Sequence, residues 1–383
     1  MSPPWPKHRR RWLAAIAVAG LVVGIFAACS PGRTIESIRI VDDIRAGGGP
    51  SLLKDVRPAP RRQPIVYEID GVVQEGDLYQ PGDAVKARMV LVPGVTPAGR
   101  DDPRLVDFAL TLARARFEVL VPDLRNMRAL RVTAEDAVPI ADAVRFLDRD
   151  DDGKPLGITA VSFAAGPAVI SLFDADAGER VDFVVTIGGY YDIEALITFI
   201  TTGYVREQPD GPWRYLADSR LGRWVFVYSN ASRLDSEDDR VTLETMAERK
   251  LKDKDADIAD LIARLGPEGQ AVYALLANRD PERVPALLAA LPPSVRRETE
   301  ALDLRRWRLE DLRPRFVMIH DRDDRVVPAG QSAAMAQALP PGRAEVFLVG
   351  SLQHADPRSP SLGDAITMLR AVYAVLAVRN RGT

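Results

Sequence analysis

Three separate stretches of this 383-residue chain hold the residue types needed for acyl transfer. The first reads Gly157-Ile158-Thr159-Ala160-Val161-Ser162-Phe163-Ala164-Ala165-Gly166. An apolar run that ends on serine and continues in small residues predicts a buried strand, a sharp turn at Ser162 and a helix directly after it. A nucleophilic serine on such a turn needs small neighbours two residues before and two after, since the turn presses their Cβ atoms against backbone. Ala160 and Ala164 meet that need, although glycine is the usual choice. The helix directs its N-terminus at the serine, which favours a developing oxyanion. The plainer reading is a serine that only caps a helix, which is common.

The second stretch is Phe316-Val317-Met318-Ile319-His320-Asp321-Arg322-Asp323-Asp324-Arg325-Val326-Val327-Pro328. A strand here runs into an acidic loop, which places Asp324 just past the C-terminal edge of a sheet, where open α/β sheets bind ligands. Taken alone, an acidic loop is ordinary solvated surface. The third feature is a base that works near neutral pH, a role suited to histidine. The chain has three. His8 sits in a basic leader, and His320 ends a strand only four residues before Asp324. His354 follows a predicted strand at 345–349, in the loop Gly350-Ser351-Leu352-Gln353-His354-Ala355. From there it can hang over the sheet edge toward a serine on a central strand.

The elements that must position these residues follow from hydrophobic periodicity. Strands are predicted at 65–69 and 72–79, joined at the tight-turn dipeptide Asp70-Gly71. Further strands are predicted at 87–92, 118–121, 157–161, 181–187, 316–319 and 345–349. Helices are predicted at 105–117, from the capping signal Thr133-Ala134-Glu135-Asp136 to about 147, at 329–339 and at 366–378. Strands alternating with helices predict an α/β protein with a mostly parallel central sheet covered on both faces. Between 191 and 312 the rhythm breaks into helices alone, read as an inserted cap. The core is therefore assigned to 63–190 and 313–383.

Residues 1–11 form a basic leader and 12–29 an uncharged apolar run, together read as a signal or membrane-anchor segment. The run ends in Phe26-Ala27-Ala28-Cys29, which resembles the box where bacterial lipoproteins are cleaved and lipidated on cysteine. This predicts a body in the cell envelope, outside the cytoplasm, as a lipoprotein, by an uncleaved anchor or, less favoured, after secretion. Residues 30–62, rich in Pro, Gly and Arg, are read as a tether. A formal net charge of −3 gives no reason to expect a nucleic-acid partner. A single cysteine excludes an intrachain disulfide framework and a multi-cysteine zinc site. The acids of 148–152 before Gly153 have the look of a calcium loop, but Thr159 stands where its closing acid would be, so a solvated turn is the better reading.

Ser162, Asp324 and His354 occur in that order, each just past a predicted strand, with the long insertion between the first two. In this the sequence resembles the α/β-hydrolase superfamily from about residue 65 to the C-terminus, the cap excepted. Residues 319–328 resemble the family's I-H-G-x-x-D-x-V-V-P stretch with Asp321 in place of glycine, which implies Asp324 as triad acid, not Asp321 or Asp323. Some relatives take their acid from the end of the strand before the cap, here Asp192. Met89 to Thr96 resembles the family's H-G-x-x oxyanion turn with Pro93 in place of histidine, implying the backbone N–H groups of Val95 and Phe163 as oxyanion donors. The resemblance implies a serine hydrolase that needs no metal or organic cofactor and acts on small-molecule esters, lipid-like ones among them. Phe199, Tyr204, Trp213 and Phe226 of the cap are expected to line an acyl or alcohol pocket. Thioesterase, amidase or peptidase chemistry on the same fold, or a non-catalytic binding protein, are the competing readings.

Overall fold

The computed structural model describes residues 30–150, 152–208, 211–217, 219–350 and 361–382. Its main sheet has eight strands: β1 (Arg61–Ile69), β2 (Val72–Gln80), β3 (Ala87–Val92), β4 (Phe117–Pro122), β5 (Leu156–Val161), β6 (Phe183–Ile187), β9 (Arg315–Asp321) and β10 (Ala344–Val349). Their spatial order is β1-β2-β4-β3-β5-β6-β9-β10. β1, β2 and β4 pair antiparallel at one edge, and every other neighbour pair is parallel. The turn between β1 and β2 sets Asp70 at φ 51° and Gly71 at φ 81°, the doubly left-handed geometry that Asp-Gly favours and that brings Ile69 opposite Val72.

The central strands are buried on both faces, and each alternates between two cores. Val90, Val92, Ile158, Ala160, Val184, Phe316 and Met318 point to one face, where the helix Ala137–Leu147 packs. Met89, Leu91, Phe183, Val185, Val317 and Ile319 point to the other, against the helices Pro103–Arg114 and Leu362–Arg379. Burying both sides costs each strand its polar residues, which is why these segments read as unbroken apolar runs.

Residues 31–56 are not a tether. Pro31–Ala46 and Leu52–Val56 are helices packed on the body, with Ile40 and Leu53 buried in the second core. The wholly buried Arg379 pairs with Glu36 at 2.7 Å and also donates to the Ala115 carbonyl. Buried Asp43 accepts from Ser51 and Thr111 and pairs with Lys54 at 2.8 Å. This first helix is held by paired polar groups more than by an apolar stripe, so it lacks the signature that periodicity detects.

The segment between β6 and β9 builds a third core around Leu196, Ile200, Val227, Leu243, Met246 and Leu275. Most of it is helical, but it is not helical alone. β7 (Tyr204–Val205) and β8 (Arg214–Tyr215) form a two-stranded antiparallel ribbon. Strands of two residues are too short to leave a periodic trace. The insertion is tied to the loop before the helix Ala137–Leu147. Ser229 Oγ accepts from the Val132 N–H at 2.9 Å, Glu298 accepts from Ala134 N–H at 2.7 Å, and Arg233 donates to the Val132 carbonyl at 3.1 Å. Among the described residues no helix is long and apolar enough to cross a membrane. The apolar run 12–29, with Cys29, lies outside them.

Candidate functional site

β5 sits between β3 and β6 near the middle of the sheet, and Ser162 is the first residue past its C-terminal end. Ser162 has φ 57°, the left-handed region that costs an L residue about 1–2 kcal/mol. A 3-10 turn, Ser162–Ala164, then leads into the helix Ala165–Ile170. The small residues this turn requires are in place: Ala160 and Ala164 are fully buried. At Gly166 an added Cβ would lie 2.0 Å from the Tyr190 hydroxyl, so only glycine lets the new helix seat against the chain leaving β6. The left-handed serine thus stands where β5 ends and the helix begins, the backbone arrangement of a nucleophile turn.

The loop after β3 runs beside the end of β5, where a Cβ on Gly94 would sit 3.7–3.9 Å from atoms of Val161. The Val95 N–H donates to no backbone or side-chain acceptor among the described residues. Phe163 stands in the first turn after Ser162, where helical geometry offers no internal partner for an N–H. Both donors implied by the resemblance thus lie in the loops that follow β3 and β5, adjacent parallel strands of the sheet.

Asp324 follows β9, two strands from β5. Its Oδ1 accepts from the N–H groups of Val326 and Val327 at 2.7 and 3.0 Å, which fixes the carboxylate. Its Oδ2 lies 3.7 Å from His320 Nε2 and 3.5 Å from the Cβ position of Gly188 at the end of β6. One oxygen is anchored and the other faces the strand beside the serine. Asp192, the alternative acid, is otherwise employed. It accepts from the Ala195 N–H at 2.9 Å as the cap of the helix Ile193–Thr202, and pairs with Arg305 at 3.1 Å. Asp321 accepts from the Asp323 N–H, shaping the acidic loop.

His320 is fully buried, and both ring nitrogens are engaged: Nε2 with the Val327 carbonyl at 2.8 Å and Nδ1 with Ser332 Oγ at 2.7 Å. A carbonyl only accepts, so Nε2 carries the proton and Nδ1 accepts from the Ser332 hydroxyl. Burial holds this imidazole below its ordinary value. His320 is a fastener for the Asp324 loop. His354 lies outside the described residues. The described ends of its loop meet at Asp364, which accepts from the Gly350 N–H at 2.8 Å and from the Ser361 hydroxyl at 2.6 Å. Beside them the Arg322 N–H donates to the Val349 carbonyl at 2.8 Å, tying the loop's origin to the loop that carries Asp324.

A cavity of about 50 Å³ lies between the Ser162 turn and the insertion. Phe163, Tyr190, Ile197, Ile200, Val225 and Phe226 supply its largely apolar wall. Of the four aromatic residues expected there, only Phe226 lines it. Phe199 is buried in the insertion's own core, Tyr204 meets Tyr215 of the ribbon edge to face, and Trp213 donates to Glu282 at 2.6 Å. Aromatic type marked these residues out, but their direction depends on helix rotation and on a ribbon that periodicity does not reveal. Among the described acids of 148–152, Asp152 pairs with Arg88 at 2.6 Å and Asp148 with Arg180 at 2.9 Å.

Where the insertion meets the core, the buried carboxyl of Asp136 is pushed up to about 7, chiefly by burial, with Glu298 and Glu135 adding to the effect. Asn126 donates to one oxygen at 3.0 Å, and the other is buried without a partner. A carboxyl whose folded value exceeds its unfolded one binds more proton in the folded state. Its stability contribution is whole below the ordinary value of 3.8 and is lost as pH rises through about 7. At up to ~1.4 kcal/mol per pH unit, the loss is at most about 4 kcal/mol. Asp136→Asn is expected to flatten the fall in urea-unfolding free energy between pH 5 and pH 8. Parallel curves for variant and wild type would show that Asp136 ionises freely.

No protein-family model matches the chain, and no curated protein does. Solved structures do. The rice cell wall degrading esterase LipA from Xanthomonas oryzae, in a ligand-bound form, is similar with TM-score 0.50 and 14% identity, over 85% of this chain and 92% of that one. A candidate hydrolase from Legionella pneumophila is similar with TM-score 0.50 and 10% identity, over 85% and 91%. The acylaminoacyl peptidase of Pyrococcus horikoshii gives TM-score 0.44 and 12% identity, over 86% of this chain; the chain spans 43% of that protein's length. Sheet order, mixed edge and the likenesses to the Xanthomonas esterase and the Legionella hydrolase agree: the chain has the α/β-hydrolase fold.

Proposed function

We propose that this protein is a serine hydrolase that cleaves carboxylic esters through an acyl-enzyme on Ser162. The observation that carries the reading is the left-handed Ser162 at the strand-to-helix turn, φ 57°. In this reading His354 takes the hydroxyl proton as Ser162 Oγ attacks the ester carbonyl, and Asp324 orients and stabilises the imidazolium through its Oδ2. The N–H groups of Val95 and Phe163 hold the tetrahedral oxyanion. His354 returns the proton to the leaving alkoxide, and water then repeats the sequence to release the acid. The apolar cavity beside Phe163 takes the acyl group, and its size favours a short chain. The basic and apolar residues 1–29 hold the body at the membrane from the outer side.

One experiment tests both halves. Cells expressing the whole chain are fractionated and treated with a fluorophosphonate probe, and the labelled band is expected in the membrane fraction. A chain beginning at Ser30 is expected to label in the soluble fraction. With p-nitrophenyl esters, kcat/KM is expected to be highest from acetate to butyrate and to fall about tenfold or more by octanoate. The matching anilides are expected to react more slowly. An unlabelled wild type would refute the enzyme reading, and a probe signal indifferent to residues 1–29 would refute the attachment.

A further inference from the structure

Seven of the fifteen large apolar side chains exposed among the described residues stand on three helices, Pro31–Ala46, Leu52–Val56 and Leu362–Arg379. Single exposed apolar residues are ordinary, whereas a cluster of them marks a surface that meets something. On the first helix Ile35 and Ile38 turn away from the buried Ser37, Ile40 and Asp43. Leu52 and Val56 belong to the short helix beside it, where the Leu52 N–H donates to Asp42 at 2.8 Å. Leu362 and Ile366, one turn apart, open the outer stripe of the C-terminal helix, which continues through Arg370 to Tyr373. These six apolar side chains are 44–80% exposed.

The two stripes meet at Ser30. Its N–H donates to the Tyr373 hydroxyl at 3.0 Å, and the Arg33 guanidinium lies 4.8 Å from the centre of the Tyr373 ring. Cys29, the last residue of the uncharged apolar run, precedes Ser30 directly. A flexible linker over residues 30–62 would let the body drift about 30 Å from its anchor. No such slack exists, since Ser30 is bound to the body and the helix after it is fixed through Glu36 to Arg379 and through Asp43 to Lys54.

We infer that this surface rests against a phospholipid bilayer, with the six apolar side chains in the boundary between headgroups and acyl chains. The inference rests on the attachment through residues 1–29 proposed above. Under that reading the apolar run reaches the bilayer surface at Cys29, so the side chains around Ser30 are the part of the body nearest to lipid. They are apolar, as the face of an interfacial helix is. Tyr373 suits the same depth, having an apolar ring with a polar tip. Six side chains at a boundary hold a body only weakly, so the face orients the anchored chain and does not replace the anchor.

Depth-dependent fluorescence quenching checks the inference on the whole chain, reconstituted into phosphatidylcholine vesicles that carry nitroxide-labelled lipid. The fluorescent residue dansylalanine replaces Ile38, Ile366 or, as a control, Val241, which is exposed on the insertion helix Glu237–Lys252. Quenching at 38 and 366 is expected to exceed that at 241 by at least about threefold. With the probe at 38, the combined change Ile35→Ser, Leu52→Ser and Leu362→Ser is expected to lower quenching by about half and to leave flotation with the vesicles unchanged. Equal quenching at all these positions in chains that float with vesicles would overturn the docking and leave the attachment intact. A blue-shifted probe at 38 that the lipid nitroxide does not reach would show the face covered by protein, which overturns it as well. Chains that fail to float would refute the attachment, and the docking with it.

Discussion

Ser162→Ala is expected to lower kcat on p-nitrophenyl acetate by about 10⁴-fold or more and to abolish fluorophosphonate labelling. The loss would arise at the reacting atom, because the substitution removes one oxygen and leaves the turn intact. Stability separates this from a structural role. At φ 57° a serine and an alanine bear the same Cβ penalty, so Ser162→Ala should fold with nearly unchanged unfolding free energy. Ser162→Gly removes the ~1–2 kcal/mol penalty and adds glycine's ~0.5–1 kcal/mol entropy cost, so it should be equally inactive and as stable or slightly more so. A residue kept for stability shows the opposite pattern. Activity within tenfold of wild type in either variant would remove Ser162 from the chemistry.

The parts of this architecture that were legible in the sequence share one physical property: they are dictated locally. β3, β4, β5, β6 and β9 are buried on both faces and so appear as apolar runs. The hairpin at Asp70-Gly71 is written in two residues because only certain types tolerate two successive left-handed conformations. Thr133, whose hydroxyl accepts from the Glu135 N–H, announces the turn that leads into the helix Ala137–Leu147. The serine turn was legible for the same reason, since Ala160 and Ala164 meet a steric demand of their immediate neighbours.

What stayed hidden depends on partners distant in sequence. The helix Pro31–Ala46 is secured by Arg379, 343 residues from Glu36, and by Thr111, 68 residues from Asp43. Its own composition reads as a linker because those polar contacts contribute no periodicity. The same limit applies to His320. By type it is a general base, but the hydroxyl of Ser332 and the carbonyl of Val327 occupy both nitrogens, and neither contact is marked in the local pattern. The cavity walls were misread likewise. Phe163 became a wall residue because it follows the nucleophile, while Phe199 turned inward with its helix.

Asp324→Asn is expected to cost about 10³–10⁴-fold in kcat, while Asp192→Asn costs activity little and stability about 1 kcal/mol. The difference rests on what each carboxylate already does. Asp192 spends one oxygen on the Ala195 N–H and the other on Arg305, leaving none directed at an imidazole. Asp324 is held by two backbone N–H groups on Oδ1, and its Oδ2 has His320 Nε2, 3.7 Å away, as its one charged neighbour among the described ion pairs. An asparagine at 324 can keep the two backbone contacts through its carbonyl oxygen. Its amide then points a donor where an acceptor is needed, selecting the wrong imidazole tautomer and removing the charge that stabilises the imidazolium. Folding should survive, so far-ultraviolet circular dichroism and unfolding free energy should stay near wild type while turnover falls. Asp323→Asn, on the exposed side of the same loop, supplies the control for a general loss of negative charge and should remain within about threefold. If Asp192→Asn proves as damaging to turnover as Asp324→Asn, the acid comes from the end of β6, and the geometry around Gly188 must be read in the opposite direction.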